Sequence, residues 1–191
     1  MIEWSPIFET KLELIDSQHQ TLFALVNKIT DEVNLSQESE EFFDDALDEL
    51  VSYSKQHFSD EELFMTRQRL DPRFISLQRM EHNSFIYDVS RLRAQFAVEE
   101  DDLVDRFEKL TVHITSWLVY HTLRTDQLIP TQVEAISEGK TPQEAYDIAL
   151  KIMPNPTAMK LILDAVVHLW GESVKRVHAL EARDLSADSV K

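Results

Sequence analysis

Apolar residues recur at steps of three and four along four long stretches of this chain, and glycine is nearly absent from them. Only 2 of the 191 residues are glycine, and runs of β-branched residues are few. Such spacing places apolar side chains on one face of an α-helix, and scarce glycine favours uninterrupted helices. The sequence therefore predicts an all-α protein.

The four stretches run from about Asp16 to Asn34, from about Ser39 to Arg69, from Pro72 onward after the cap residue Asp71, and from about Asp101 onward. Their apolar stripes comprise Leu22, Val26, Ile29 and Val33, then Phe43, Leu47, Leu50 and Phe64, then Ile75, Phe85, Val89, Leu92 and Phe96, and finally Leu103, Phe107, Leu110, Ile114 and Trp117. The connections are short, so consecutive helices should lie antiparallel. We predict an up-down-up-down four-helix bundle.

Two further segments flank the bundle. Residues 1–15 form an arm in which Trp4 and Phe8 should pack along the bundle. Beyond Pro130 the pattern changes: Thr141-Pro142 predicts a short helix to about Ile152, and a last helix is expected over residues 156–183. The stripe of that last helix comprises Ile162, Val166, Leu169, Val177 and Leu180. We therefore predict a bundle domain at 1–130 and a C-terminal helical extension at 131–191.

Composition removes several classes of function. The absence of cysteine excludes disulfides, cysteine-ligated zinc, iron–sulfur clusters and a cysteine nucleophile. Two glycines cannot build the usual phosphate-binding loops. The net charge of −16 disfavours nucleic acids and anionic membrane surfaces as partners. No targeting segment or membrane span is evident in the sequence, so we expect a cytoplasmic protein.

Polar residues interrupt the inward stripes at one level: His19, His57, Glu61, Gln78, His82 and His121. They fall near the start of the first and third helices and near the end of the second and fourth, which is the same end of an antiparallel bundle. Buried ionisable groups cost several kcal/mol unless they are paired or bind a metal. We therefore predict a metal site here, whereas the isolated His113, His168 and His178 are expected to be ordinary core histidines.

Asp126 joins this group only if the fourth helix widens. It lies five residues after His121, which leaves the two side chains about 140° apart on an α-helix, so a π-bulge is expected between them. Imidazoles and carboxylates without thiolates suit iron, manganese or zinc, and two carboxylates among four histidines suit a bridged pair of metals. A ferritin-like site would need four inward glutamates, and this core has only Glu61.

Four motifs carry a family resemblance: Ile15-Asp16-x-Gln18-His19-Gln20, His57-Phe58-x-x-Glu61-Glu62-x-x-Met65, Glu81-His82-x-x-Phe85 and Trp117-Leu118-x-x-His121-x-x-x-x-Asp126. In this order, over residues 1–130, they resemble the bacteriohemerythrins. The resemblance implies a four-helix bundle holding two iron ions (Fe²⁺/Fe³⁺) with an oxo or hydroxo bridge that binds O2.

The resemblance also implies a role for each matching residue. One iron would be held by His19 and His57, the other by His82 and His121, with Glu61 and Asp126 as the bridging carboxylates. Leu118 matches the apolar residue over the O2 pocket.

Gln78 is the departure from the family pattern, because the third helix of the family carries a histidine there. With glutamine, each iron would have five ligands, and both would keep an open position. Glu81, about 100° away from His82 around the helix, is expected to be a solvated surface carboxylate.

The segment Gly139-Lys140-Thr141-Pro142-x-Glu144-Ala145-Tyr146 resembles the junction of some bacteriohemerythrin domains with signalling outputs such as diguanylate cyclases or histidine kinases. The leading hypothesis is a non-enzymatic di-iron sensor of O2 or redox state, whose last helix reaches an output domain or a homodimer partner. An O2 carrier or store, a di-iron oxidase or peroxidase, and a zinc or iron store remain as alternatives. No additional acid–base residue in the stripes supports turnover.

Overall fold

Four long helices make up the core of the molecule. The computed structural model describes residues 2–34, 40–96 and 103–171, and these residues contain helices and no strand. The long helices are α1 (Glu13–Asn34), α2 (Glu40–Arg67), α3 (Pro72–Phe96) and α4 (Leu103–Tyr120). α1 and α3 each contact both α2 and α4, which closes the bundle. The predicted all-α, up-down-up-down four-helix bundle is confirmed, although the expected starts near Ser39 and Asp101 lie outside the described residues.

Shorter helices follow the bundle. A π-helical turn (His121–Thr125) leads from α4 into α5 (Leu128–Ser137), and α6 (Pro142–Ala149) packs on α5. Residues 156–171 form a further helix, α7. The boundary predicted between residues 130 and 131 falls inside α5. Among the described residues, no helix combines the length and the apolar character needed to cross a membrane.

The start of α6 shows local sequence determining local structure. The Thr141 hydroxyl accepts a hydrogen bond from the Glu144 amide, and the Glu144 carboxylate accepts one from the Thr141 amide at 2.9 Å. This reciprocal capping box explains why the helix starts where the sequence predicts. Its end comes earlier than the predicted Ile152, because the amides of Lys151 and Ile152 turn back to carbonyls three residues earlier.

Two apolar clusters occupy opposite sides of the polar level, which is the layer of the bundle that contains His19, His57, Glu61, Gln78, His82 and His121. The larger one runs along the bundle and includes Leu22, Leu50, Phe85 and Ile114 among its buried side chains. The smaller one lies where α5 and α6 cover the bundle, and consists of Ile15, Met65, Leu70, Phe74, Leu128, Ile129 and Ala149. Along α1, α2 and α3 the chain passes from one cluster, through the polar residues, to the other, and from α4 it does so through the π-helical turn into α5. The polar level is therefore sealed by apolar packing on both sides.

The N-terminal arm packs on the bundle as predicted. The Trp4 ring stacks on Phe8 at 5.8 Å between centroids, and both rings contact Phe23 edge-on. Residues 6–8 form a 3-10 turn that places Phe8 in the larger apolar cluster.

α7 packs on the bundle through part of the stripe that was predicted to contact the bundle or a second chain. Ala158, Ile162 and Ala165 are buried in the larger cluster, whereas Val166 is 40% exposed. The spacing of apolar residues fits two faces of this helix, and the bundle takes the face with the small alanines. His113 is buried as expected, but His168 is exposed. Val177, His178, Leu180 and the predicted end at residue 183 lie outside the described residues.

Asp71 caps α3, and its replacement should destabilise the protein. Its carboxylate accepts the Arg73 amide at 2.8 Å and binds the Arg73 guanidinium through both oxygens. We expect Asp71→Ala to lower the free energy of unfolding by about 1 kcal/mol, and Asp71→Asn, which keeps a capping oxygen, to lower it less. Urea denaturation checks this.

The effect of Asp71 should also depend on pH. Hydrogen bonds from Arg73 lower the pKa of Asp71 in the folded protein. The stabilisation by Asp71 is therefore complete above the ordinary carboxyl pKa of about 3.9. It is lost as the pH falls through the lower pKa that Asp71 has in the folded protein. A difference between wild type and Asp71→Ala that stays constant down to pH 2 would contradict this assignment.

Candidate metal centre

The structure brings every predicted ligand to one buried place. His19 comes from α1, His57 and Glu61 from α2, and His82 from α3, while His121 and Asp126 lie at the two ends of the π-helical turn. Each of the six side chains is at most 2% exposed. Bulk solvent therefore contributes little to balancing their charges, which must be balanced largely within the site.

The two carboxylates link two pairs of histidines. Glu61 belongs to both groups of potential metal ligands, one with His19 and His57 and the other with His82 and His121. Asp126 lies 3.3 Å from His19 Nε2 through Oδ2 and 3.1 Å from His121 Nε2 through Oδ1. Each carboxylate therefore faces one histidine or more from each pair. This is the arrangement expected of carboxylates that bridge two cations.

The π-helical turn explains how Asp126 reaches the site. The Asp126 amide donates to the His121 carbonyl at 3.1 Å, a bond across five residues rather than four. The wider turn cancels the angular separation that an α-helix would impose, so both side chains point inward. The predicted π-bulge is confirmed, and Asp126 is fully buried rather than a surface charge.

Three of the histidines are held from behind by hydrogen bonds. Nδ1 of His57 bonds Gln18 Oε1 at 3.0 Å, Nδ1 of His82 bonds Glu62 Oε1 at 3.0 Å, and Nδ1 of His121 bonds Glu81 Oε2 at 2.8 Å. These bonds leave Nε2 of each ring facing the site, as outer partners do for metal-binding histidines.

Sequence reasoning missed the outer layer of Gln18, Glu62 and Glu81 behind the histidines. Its prediction that Glu81 is a solvated surface carboxylate was wrong. The Glu81 side chain is only 16% exposed and holds His121. Glu81 precedes His82 on α3, and the roughly 100° between successive residues turns it toward the neighbouring α4. Gln18 and Glu62 likewise adjoin the ligands His19 and Glu61 in sequence. A polar residue next to a ligand was the signal that would have found all three.

Aromatic rings fix the planes of two imidazoles. Phe58 stacks on His82 at 4.0 Å with 6° between the planes, and Trp117 stacks on His121 at 4.3 Å with 16°. Each ring is therefore held by a hydrogen bond at its edge and by packing on its face. The ligands are oriented by the protein itself.

Burial and mutual charge set the protonation of the site. Burial lowers the pKa of His57, and the His19 ring lowers it further. Burial raises the pKa of Glu61, and the neighbouring Asp126 carboxylate adds to this. Burial also opposes ionisation of His121 and Asp126, but their attraction outweighs it: the pKa of His121 rises to about 9, and that of Asp126 falls well below its usual range.

Several buried polar atoms at the site have no hydrogen-bond partner. They include His19 Nε2, both oxygens of Glu61, Asp126 Oδ2 and Gln78 Oε1. His19 Nε2 and Asp126 Oδ2 are within ion-pair distance but are not aligned for a hydrogen bond. Acceptor oxygens without donors in a sealed core are costly, and cations would satisfy them.

The spacing of the nitrogen atoms fits metal ligation as well. His82 Nε2 lies 3.2 Å from His121 Nε2. Two nitrogens at about 2.1 Å from one ion lie about 3 Å apart when their bonds are near right angles. Nitrogen and oxygen donors without sulfur suit iron, manganese or zinc. The residues present therefore fit a metal centre.

Gln78 lies on the inward face of α3, one turn before His82, as predicted. It is fully buried, and its Nε2 donates to Asp126 Oδ1 at 3.0 Å. The amide thus restrains the Asp126 carboxylate at the place where the family resemblance expects a histidine. Leu118 is buried in the larger apolar cluster, and its place over an O2 pocket stays a prediction.

Fold and site together define a class of protein: four-helix bundles that bind metal through histidines and carboxylates of all four helices. The family model of the hemerythrin HHE cation binding domain matches residues 10–131. The chain belongs to the hemerythrin family and contains a hemerythrin-like iron-binding domain.

Curated relatives agree with this assignment. The bacteriohemerythrin of Methylococcus capsulatus is 29% identical over 121 residues, covering 63% of this chain and 87% of the relative. That of Clostridium acetobutylicum is 27% identical over 136 residues, covering 66% and 97%. That of Stenotrophomonas maltophilia is 25% identical over 135 residues, covering 71% and 83%. No solved structure matches the chain significantly.

Loss of a ligand should remove iron. Replacing even an outer partner of a metal ligand costs about 10–100-fold in affinity, so His57→Ala and Asp126→Ala should each weaken iron binding by more than that. The melting temperature of the iron-loaded protein should fall as well, because bound metal stabilises the folded state. Metal analysis after desalting and thermal unfolding measure both effects.

His168→Ala is the matched control, because His168 is exposed on α7. It should change neither iron content nor melting temperature. Full iron content in both His57→Ala and Asp126→Ala would show that the ligands lie elsewhere.

Proposed function

We propose that the protein is a cytoplasmic, non-enzymatic di-iron domain that senses O2 or oxidation state and signals through its C-terminal helix. The observation that carries the proposal is the pair of carboxylates, Glu61 and Asp126, that link two pairs of buried histidines and have unpartnered oxygens. Two bound irons would supply O2 binding and a change of oxidation state.

Gln78 supports sensing over storage. A stable O2 store needs a metal site that resists oxidation. The amide of Gln78 is a weaker metal ligand than the imidazole the family places there, so it leaves a coordination position of the metal more open. Its Nε2 is engaged by Asp126, and its Oε1 has no hydrogen-bond partner. The side of the site formed by His82 and His121 therefore lacks a third imidazole.

Contacts next to Asp126 offer a route to the tail. The Gln127 side chain donates to the carbonyls of Phe8 and Glu9 in the N-terminal arm, at 3.4 Å each. The arm, α4 and α7 together line a cleft of about 820 Å³. A shift of Asp126 would act on Gln127, then on the arm, and then on α7.

The outer face of α7 supports a partner for the tail. Leu163, Val167 and Trp170 are 56–67% exposed and follow one another at steps of four and three residues. That spacing is typical of helices that pair with another helix. We propose that this face contacts an output domain or a second copy of the chain.

The deciding experiment is metal analysis with an optical spectrum of the anaerobically reduced protein, before and after air. We expect two irons per chain and a fast, irreversible spectral change. A stable adduct that releases O2 under vacuum would instead identify a carrier or store, and turnover of peroxide would identify an enzyme. A variant ending at residue 153 should behave identically, since every proposed ligand precedes it.

Gln78→His should slow oxidation of the reduced protein. A histidine at this position would supply a third imidazole beside His82 and His121, so we expect the reduced state to decay about tenfold more slowly in air. Gln78→Leu is the matched control, because it removes the amide without adding a ligand, and it should not slow the decay. Stopped-flow absorbance measures the rates, and equal rates in wild type and Gln78→His would refute the role given to Gln78.

A further inference from the structure

The hydrogen bonds behind the ligand histidines divide the site into two unlike halves. On one side both imidazoles are backed by carboxylates: His82 Nδ1 bonds Glu62 at 3.0 Å, and His121 Nδ1 bonds Glu81 at 2.8 Å. Glu62 is oriented in turn by Arg79, whose Nε donates to its other oxygen at 3.0 Å.

On the other side, no carboxylate of the described residues bonds the Nδ1 atom of either histidine. His57 Nδ1 bonds the neutral amide of Gln18 at 3.0 Å, and His19 Nδ1 is buried without a hydrogen-bond partner. The nearest carboxylate is one residue further out, where Gln18 Nε2 donates to Asp60 at 2.8 Å. The His57 ring is thus held at Nδ1 by a neutral amide, and the His19 ring has no hydrogen-bond partner at Nδ1.

This difference acts directly on metal binding. A carboxylate that accepts the Nδ1 hydrogen makes Nε2 of the imidazole a stronger electron-pair donor to a metal and adds negative charge near the ion. A neutral amide has a smaller effect, and a ring without a partner at Nδ1 has none. Glu61 and Asp126 each face histidines of both halves, so the larger difference between the halves lies behind the rings, at Nδ1. The positive charge of Arg79 offsets the charge of Glu62 only weakly, because Arg79 is half-exposed and solvent screens it. Arg79 does not contact the hydrogen bond between Glu81 and His121.

We propose that the two metal positions are unequal, and that the position of His82 and His121 binds its ion first and more tightly. Glu62 and Glu81 are positioning residues that set this order by holding the two imidazoles. The inference rests on the proposed pair of ions. A half-loaded protein would then carry its ion on the α3–α4 side, while the ion at His19 and His57 exchanges with solution.

Stepwise titration of the metal-free protein with Zn²⁺, in competition with a coloured chelator, tests this order. Glu81→Gln and Glu62→Gln should each weaken the first binding step by about 10–100-fold and the second step far less. Gln18→Leu should weaken only the second step. Glu49→Gln removes the same charge from an exposed ion pair with Lys28 and should change neither step.

A variant with higher metal affinity distinguishes a carboxylate that orients a ligand histidine from one that only supports the fold, because loss of structural support cannot raise affinity. Gln18→Glu combined with Asp60→Asn gives His57 a carboxylate at unchanged net charge and should strengthen the second step by about tenfold. Thermal unfolding of each metal-free variant verifies that it folds.

The outcomes distinguish this inference from the proposed function. Two bound ions with both steps equally sensitive to Glu81→Gln and Gln18→Leu would overturn the unequal positions and leave the di-metal function standing. A single bound ion that is sensitive to Glu81→Gln and insensitive to Gln18→Leu would support the tighter binding at His82 and His121 and contradict the di-metal function. A single ion insensitive to Glu81→Gln would overturn both.

Discussion

The structure depends on burying four imidazoles and two carboxylates between two apolar clusters. Removing such groups from water costs several kcal/mol each unless they find partners. Glu61 Oε2 lies 3.3 Å from His82 Nε2, but Glu61 Oε1 has no hydrogen-bond partner, so the protein alone does not satisfy the whole site. Burial of the polar level therefore opposes folding more than burial of any other part of the bundle, and bound cations would stabilise this part most. Metal binding and stability are consequently linked in this domain.

Much of the remaining architecture serves to hold that level in place. α1, α2, α3 and the segment from α4 to α5 each contribute apolar side chains on both sides of it, so the ligands are fixed on all four sides of the bundle. Phe58 and Trp117 stack on ligand rings, and the outer layer of Gln18, Glu62 and Glu81 fixes three of them at Nδ1. Preorganisation of this kind leaves the metals little to rearrange.

The sequence predicted the bundle and the level of its ligands, because the spacing of apolar residues determines which positions face inward and short connections determine the direction of each helix. It failed where a position must be related to a neighbouring helix. Glu81 was taken for a surface group because its angle was judged on α3 alone, although α4 lies beside it. The stripe predicted for α7 joined Ile162, which the bundle buries, to Val166, which is 40% exposed, because two faces of that helix have similar apolar spacing.

The π-helical turn amounts to one residue more than an α-helix would use over the same length. Straightening the turn without removing a residue would rotate everything downstream by about 100° relative to α4. Asp126 would leave the site, and the buried residues of α5 would leave the smaller cluster at the same time. Deleting one residue together with the wide turn would instead leave an aspartate four residues after His121, on the same face, so the wide turn and its extra residue have to be kept or lost together.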